Sequence, residues 1–186
     1  MAWQLDTAHT HIGFSVKHMM VSTVRGQFTQ FSGTVVLDEE HPERSHAEVS
    51  IDPTSISTGD PKRDGHLRTA DFFEVERYPE IRFASTHVER LGDDEYRVTG
   101  DLSIHGITRP VTLNVTLEGQ SRDMQGQRRA GFTLAGAINR KDFGLTWNVA
   151  LEQGGVLVSD KVQLVIEAEV FEPAQVAAPV AAEAQA

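Results

Sequence analysis

The sequence predicts an all-β fold, an eight-stranded antiparallel β-barrel with a short lid helix. Three observations support this prediction. Apolar and polar residues alternate along several segments, most of these segments exceed the ~5 to 6 residues of an ordinary strand, and short Gly- and Asp-containing turns separate many of them. Because long strands with one apolar face expose their edges, they close naturally into a barrel.

The strands are assigned by period-two alternation. It is clearest from Tyr96 to Ile104 and from Val111 to Leu117. The apolar parity changes between Phe28 and Phe31, which predicts a β-bulge near Gly33. The eight predicted strands lie near residues 11–17, 27–38, 46–52, 80–91, 95–105, 110–119, 128–139 and 160–171.

One segment has helical rather than strand character. Asp60 and Pro61 suit an N-cap and a first helical position, and apolar residues recur at three-residue intervals from Leu67 to Phe73. Pro79 ends the pattern, so we expect a helix of about 15 residues that covers one end of the barrel. A second, shorter helical turn is expected at residues 18–22.

Composition limits the classes of function. The formal net charge is −10, which argues against binding to nucleic acid or to an anionic membrane surface. The chain contains no cysteine, so it has neither a disulfide nor a thiolate nucleophile. No apolar stretch is long enough for stable membrane insertion, and no secretion leader is recognised at the start. We therefore expect a cytoplasmic protein, or a periplasmic one if a leader was removed.

The 186 residues are expected to form one domain, residues 1–172, followed by a tail. Residues 173–186 are rich in Ala and Pro and hold no large apolar side chain, which predicts disorder.

Three groups of residues invite a chemical interpretation. His9 and His11 share one face of a strand, but no third ligand follows at metal-site spacing, so no metal is expected. Asp64 and His66 suit acid–base chemistry, whereas the structural alternative has Asp64 and Arg63 tie the helix to the barrel rim by hydrogen bonds. Arg140 lies in a loop where a buried Arg most often holds the chain. No Gly-x-Ser-x-Gly elbow is present, so no catalytic residue is assigned.

A series of ordered motifs carries a family resemblance. They include Ser55-Ile56-x-Thr58-Gly59, Tyr78-Pro79-x-Ile81-x-Phe83, Thr99-Gly100-Asp101-Leu102-Ser103-Ile104-His105-Gly106 and Asn139-Arg140-x-Asp142-Phe143-Gly144-Leu145. Over residues 3–171 the chain resembles the YceI family of polyisoprenoid-binding, lipocalin-like proteins. The resemblance implies a long internal pocket, a ligand such as a polyprenyl phosphate or an isoprenoid quinone, and frequently a homodimer.

The resulting hypothesis is non-covalent binding and carriage or storage of a long-chain isoprenoid in the barrel, with no cofactor besides this ligand and no enzymatic activity. Two alternatives stay open, a hydrolase-type enzyme on a lipid-like substrate and a ligand-free, stress-related interaction barrel. The residues predicted to face the apolar tail are Phe14, Met20, Phe28, Phe83, Leu102, Leu113, Trp147 and Ile166. Those predicted to lie at a head-group mouth are Arg25, Asp64, His66 and Arg140.

Overall fold

The computed structural model describes residues 2–173, which form an 11-stranded antiparallel sheet and one α-helix, α1. The predicted tail, residues 173–186, lies outside the described residues except for Pro173. The strands are β1 (Ala2–Leu5), β2 (His11–His18), β3 (Ser22–Phe28), β4 (Phe31–Val36), β5 (His46–Ile51), β6 (Ile56–Ser57), β7 (Ile81–Arg90), β8 (Glu95–Ile104), β9 (Ile107–Arg122), β10 (Arg128–Asn139) and β11 (Val158–Phe171). The helix is α1 (Pro61–Leu67), and 3₁₀ turns occupy Pro42–Arg44, Pro53–Ser55 and Arg140–Phe143.

The strands occupy eight positions around a closed barrel. β1 and β2 both pair with β11, through Leu5 opposite Val170 and Ile12 opposite Ile166, so they are two halves of one interrupted strand. In the same way β3 pairs with β2 and β4 with β1, and β5 and β6 continue along β4 and β3. From β5 the sheet runs through β7, β8, β9 and β10 to β11, which closes it on β1. The predicted eight-stranded antiparallel barrel is confirmed.

The interruption between β3 and β4 explains the change of apolar parity. Both Phe28 and Phe31 contribute to the core, on either side of a break at residues 29–30. The Ser55 hydroxyl oxygen accepts the backbone N–H groups of Thr29 and Gln30, at 3.1 and 3.0 Å, so the break has hydrogen-bond partners. The expected irregularity is present, but it precedes the predicted position at Gly33.

Helix α1 is shorter than predicted. The Asp60 side chain accepts the N–H groups of Lys62 and Arg63, which confirms the N-cap. The helix has 7 residues instead of about 15, because the chain doubles back after Leu67 and the Phe73 N–H donates to the Leu67 carbonyl. The apolar spacing beyond the helix therefore reflects packing on the barrel.

The helical turn predicted at residues 18–22 is wrong. His18 pairs with Ser22 across a β-hairpin with a three-residue loop, residues 19–21, and the Val21 N–H donates to the His18 carbonyl at 3.2 Å to close a four-residue turn. Met19 and Met20 have φ of 51° and 64°. Two left-handed central residues are typical of the type I′ turn, whose twist matches that of paired strands.

The two ends of the barrel differ in their covering. The end that carries α1 and residues 140–157 is called the helix end. The opposite end carries residues 37–45, 91–94 and 123–127 and is called the loop end. Within the described residues, no helix has the length and apolar character needed to cross a membrane.

Candidate ligand-binding site

The barrel encloses an apolar cavity of about 560 Å³. Inward-facing side chains such as Phe14, Phe83, Leu134 and Ile166 line it and stay only half-buried, although solid packing would bury them completely. The interior is therefore hollow, with a volume within the ~300 to 1,000 Å³ of small-molecule sites.

The cavity opens at the loop end. Within its described lining, the only residues classed as exposed are Glu39, His46 and Gln120, and all three lie at that end. At the helix end the lining includes Phe72 and Leu145, which are both buried. The cavity is therefore exposed to solvent at the loop end and covered at the helix end.

Six of the eight residues predicted to face a tail lie on the cavity wall: Phe14, Phe28, Phe83, Leu102, Leu113 and Ile166. Met20 does not, because it occupies the hairpin tip with 61% of its surface exposed. Trp147 also lies off the wall. Its ring packs against those of His66 and Phe72, with centroids 4.8 and 5.3 Å apart. The prediction that Met20 and Trp147 face the cavity is wrong, since both belong to loops outside the strand alternation.

Three of the four predicted head-group residues also lie off the cavity wall. Arg25 is exposed and pairs with Ser15 on the outer face of the sheet. Asp64 is buried, and its carboxylate accepts the N–H and hydroxyl of Thr58 at 2.9 and 2.5 Å. His66 shares a hydrogen bond with Asp71 at 2.7 Å. Asp64 and His66 therefore stabilise the segment around α1 through local hydrogen bonds, and Arg63 also donates to the Thr58 hydroxyl and carbonyl oxygens at 2.7 and 2.9 Å.

Arg140 lies on the cavity wall at the helix end, but its guanidinium is engaged elsewhere. It donates to the carbonyl oxygens of Leu145, Trp147, Val158 and Ser159 at 2.6 to 3.3 Å, and only 3% of the residue is exposed. Burial lowers the pKa of Arg140, although an Arg side chain remains protonated in proteins. Arg140 thus joins the end of β10 to the start of β11, and its Nη2 also lies 3.7 Å from the Asp160 carboxylate.

The polar part of the lining lies at the loop end and was missed by sequence reasoning. Its members there are Asp38, Glu39, Ser45, His46, Ser85 and Gln120. Ser85 was detectable, because it lies two residues after Phe83 on the inward face of β7. Asp38, Glu39 and Ser45 lie in a loop, His46 begins β5, and Gln120 follows a bulge in β9. At such places strand alternation does not show which way a side chain points.

Ser85 is the buried centre of this polar group. It is 6% exposed, and an extra residue in β7, Thr86, forms the bulge that follows it. The Ser85 hydroxyl oxygen accepts the Ala47 N–H at 2.8 Å and lies 3.1 Å from His46 Nδ1. His46 Nε2 lies 3.2 Å from a Glu48 carboxylate oxygen.

The proton positions follow from Glu48. Its hydrogen bond with His46, together with the nearby Arg82, lowers the pKa of the Glu48 carboxyl, so Glu48 accepts hydrogen bonds. His46 Nε2 must then carry a proton, and in the neutral ring Nδ1 accepts one from the Ser85 hydroxyl. The hydroxyl thus retains one lone pair for a ligand.

A cluster of acidic groups lies outside the cavity at the β1–β2 interruption. The side-chain atoms of Asp6, His9 and Glu169 that could coordinate a metal ion lie within 4.8 Å of one another. The Arg129 guanidinium donates to Asp6 at 2.7 Å, to Glu169 at 2.5 Å and to Asp123 at 3.1 Å. Arg129 therefore already supplies the positive charge that these carboxylates attract, and the cluster holds the interrupted strand against β10 and β11.

Comparison with known proteins agrees with this architecture. The model of the YceI-like domain matches residues 3–170. Protein YceI of Escherichia coli O157:H7 is 40% identical over 161 residues, which are 87% of this chain and 81% of that protein. The crystal structure of the Campylobacter jejuni YCEI protein superposes with a TM-score of 0.74 at 32% identity, covering 90% of this chain and 96% of that chain.

A more distant structure supports the fold alone. It is described as a polyisoprenoid binding domain from Saccharophagus degradans, with a TM-score of 0.66 and 19% identity, covering 92% of this chain and 98% of that chain. Together, the family match over nearly the whole barrel, the E. coli relative and the closed hollow architecture lead to one conclusion: the chain belongs to the YceI family.

Proposed function

We propose that the protein binds one long-chain isoprenoid lipid non-covalently in the barrel and carries or stores it. The observation that carries this proposal is the hollow apolar interior, which opens at one end and has a volume of about 560 Å³. The structural neighbour from S. degradans is described as polyisoprenoid-binding, which agrees with the proposal.

The cavity wall suits a flexible branched hydrocarbon. All eight strand positions around the barrel contribute aliphatic side chains or phenylalanine rings to the wall. Its polar side chains are concentrated at the loop end. Each CH₂ group removed from water contributes about 0.8 kcal/mol, so a chain of several isoprene units is held strongly against release into solvent. Contacts of this kind select for apolar length rather than for a particular chain.

Carriage or storage fits a binding site without a reacting group directed at the tail. The Ser85 hydroxyl is the nearest feature to a nucleophile on the wall, but it lies at the loop end and already accepts the Ala47 N–H. We therefore assign the polar group at the loop end to binding.

The test is organic extraction of freshly purified full-length protein, followed by mass spectrometry and an absorbance scan. Ala168, on β11, lines the cavity, whereas Ala135, on β10, is exposed on the outer face. Ala168→Phe fills the cavity and is expected to reduce the extracted lipid at least several-fold. Ala135→Phe adds the same group outside and is expected to leave the lipid unchanged.

Two outcomes would refute the proposal. Protein that yields no lipid and takes none up from added isoprenoids would favour the ligand-free interaction barrel. Lipid that is converted to a product during incubation, with conversion lost in Asp64→Asn or Ser85→Ala, would favour the hydrolase alternative.

A further inference from the structure

We infer that the loop end of the cavity receives an uncharged, oxygen-bearing head group, such as an alcohol or a quinone, and discriminates against a phosphate. This inference rests on the proposed isoprenoid binding and assigns the chemistry of the head. It follows from the hydrogen-bonding groups and the charges that surround the opening.

The position of the head follows from the distribution of polar groups. Nearly all polar side chains of the described lining lie at the loop end. The exceptions are Thr10 and Arg140. Arg140 has its donors on four backbone carbonyls, and the Thr10 hydroxyl donates to the Glu169 carbonyl. A head group left at the helix end would lose its hydrogen bonds with water without replacing them.

Neutral donors and acceptors are available at the opening. The Ser85 hydroxyl oxygen retains a lone pair that accepts a hydroxyl proton from a ligand. The Ser45 hydroxyl accepts the Asp38 N–H at 3.1 Å, which leaves its own proton to donate. Gln120, an exposed residue of the lining, adds an amide to the rim. These groups match an alcohol or a carbonyl oxygen.

The charges at the opening do not suit a phosphate. The described cavity lining at the loop end holds the carboxylates of Asp38 and Glu39 and no Lys or Arg. Arg128 lies beside this lining, where it donates to the Glu39 carboxylate and stacks over the Trp3 ring at 5.1 Å. Asp38 accepts the His41 N–H at 2.8 Å and makes no ion pair within residues 2–173. A phosphate carries a charge of about −1.5 to −2, so it would be repelled by the Asp38 carboxylate. The nearby Arg128 would not offset this repulsion, because Glu39 already neutralises its charge.

Head-group contacts determine which lipid the protein retains. Transfer of a hydrocarbon tail from a membrane interior to an apolar cavity changes the hydrophobic free energy little, because both environments exclude water. The tail therefore allows a lipid to occupy the cavity, and contacts with the head determine the difference in binding free energy between lipids with the same tail.

The experiment uses native mass spectrometry of the full chain with three probes: geranylgeraniol, geranylgeranyl phosphate and the hydrocarbon squalene. We expect geranylgeraniol to be bound about tenfold more tightly than its phosphate. Asp38→Asn preserves an oxygen that accepts the His41 N–H and removes the charge. It is expected to raise binding of the phosphate several-fold while leaving that of the alcohol nearly unchanged. Asp101→Asn, which removes the same charge from an exposed position on β8, is the control and should leave the ratio as it is.

Ser85→Ala tests the hydrogen bond. It is expected to weaken geranylgeraniol about fivefold and to leave squalene unchanged. If Ser85→Ala disturbs β7, Gln120→Met removes a different polar group at an exposed position, and binding of geranylgeraniol and squalene is compared in the same way.

The inference would be overturned if the phosphate bound as tightly as the alcohol or more tightly, or if Asp38→Asn left the ratio of the two affinities unchanged. In either case, binding of squalene would still support the proposed function. Failure to bind all three probes would overturn both.

Discussion

Phe14 and Gly26 face each other across β2 and β3, and the phenylalanine ring lies over the glycine. A Cβ atom at residue 26 would stand 2.4 Å from Phe14 Cζ, and its three nearest neighbours are all atoms of this ring. On β8, the Phe83 ring lies diagonally over Gly100, two residues from its cross-strand partner Leu102, and a Cβ atom at residue 100 would stand 2.4 Å from Phe83 Cζ. Both rings lie against the wall, which keeps the interior open.

Gly26→Ala is therefore expected to push the Phe14 ring into the cavity. The extracted isoprenoid should fall several-fold, and the protein should lose about 1 to 3 kcal/mol of unfolding free energy through overpacking. The measurement is lipid content by mass spectrometry beside urea unfolding.

The control combines Gly26→Ala with Phe14→Leu, which removes the clash and should restore lipid content. If Gly26→Ala alone kept full lipid content, the open interior would not depend on this pair.

Arg140 is expected to be a structural residue. Arg140→Met leaves four backbone carbonyls without their donor in a buried position. The unfolding free energy should fall by about 3 to 5 kcal/mol, the range for loss of one partner in a buried charged network. Equilibrium denaturation measures this loss. Arg25→Met, at an exposed position on β3, should change stability by less than about 0.5 kcal/mol. Similar losses in the two variants would contradict the assignment.

Acid stability should depend on Asp6. Burial alone raises the pKa of its carboxyl, but hydrogen bonds from Arg129, His9 and the Ala8 N–H lower it from the ordinary 3.8 to about 2. Because the folded pKa lies below the unfolded one, the stabilisation is present above pH 4 and is lost as the pH falls towards 2. It amounts to about 2 kcal/mol at most. Urea midpoints measured between pH 2 and 5 should fall less steeply in Asp6→Asn, while Asp101→Asn keeps the original slope.

His9 should produce a weaker effect in the opposite direction. Its hydrogen bond with Asp6, followed by the charges of Asp6 and Glu169, raises the pKa of His9 above 6.5. A raised folded pKa stabilises below pH 6.5, and this contribution is lost as the pH rises through the folded value. His9→Gln should remove a small decline in the urea midpoint above pH 6.5. An unchanged decline would assign it to another group.

The hairpin tip offers a stabilising substitution that should not affect binding. Met19 and Met20 both have positive φ, which costs of order 1 kcal/mol or more for a residue with a side chain. Asn-Gly is the preferred pair for a type I′ turn, so Met19→Asn with Met20→Gly is expected to raise unfolding free energy by about 1 to 2 kcal/mol. Since Met20 lies off the cavity wall, lipid content should stay the same. A loss of lipid would restore Met20 to the binding site.

Much of this molecule was predictable because strand alternation reports on one property, the face to which a side chain points. The period from Tyr96 to Ile104 fixes Leu102 as inward, and the same rule on other strands found five more residues of the cavity wall. The Asp60 N-cap was equally local, since it depends on residues two and three positions away. Composition and alternation therefore predicted an antiparallel barrel and six residues of its inner surface.

The tertiary structure alone decided whether the barrel is hollow and where it opens. The open interior depends on pairs such as Phe14 with Gly26, which only strand register brings together. The polar opening depends on Ser85, His46 and Asp38, which come from two strands and a loop and meet only when the barrel closes. Local sequence carries no record of such distant contacts, so motifs could not show that Arg25, Asp64 and His66 lie off the cavity wall.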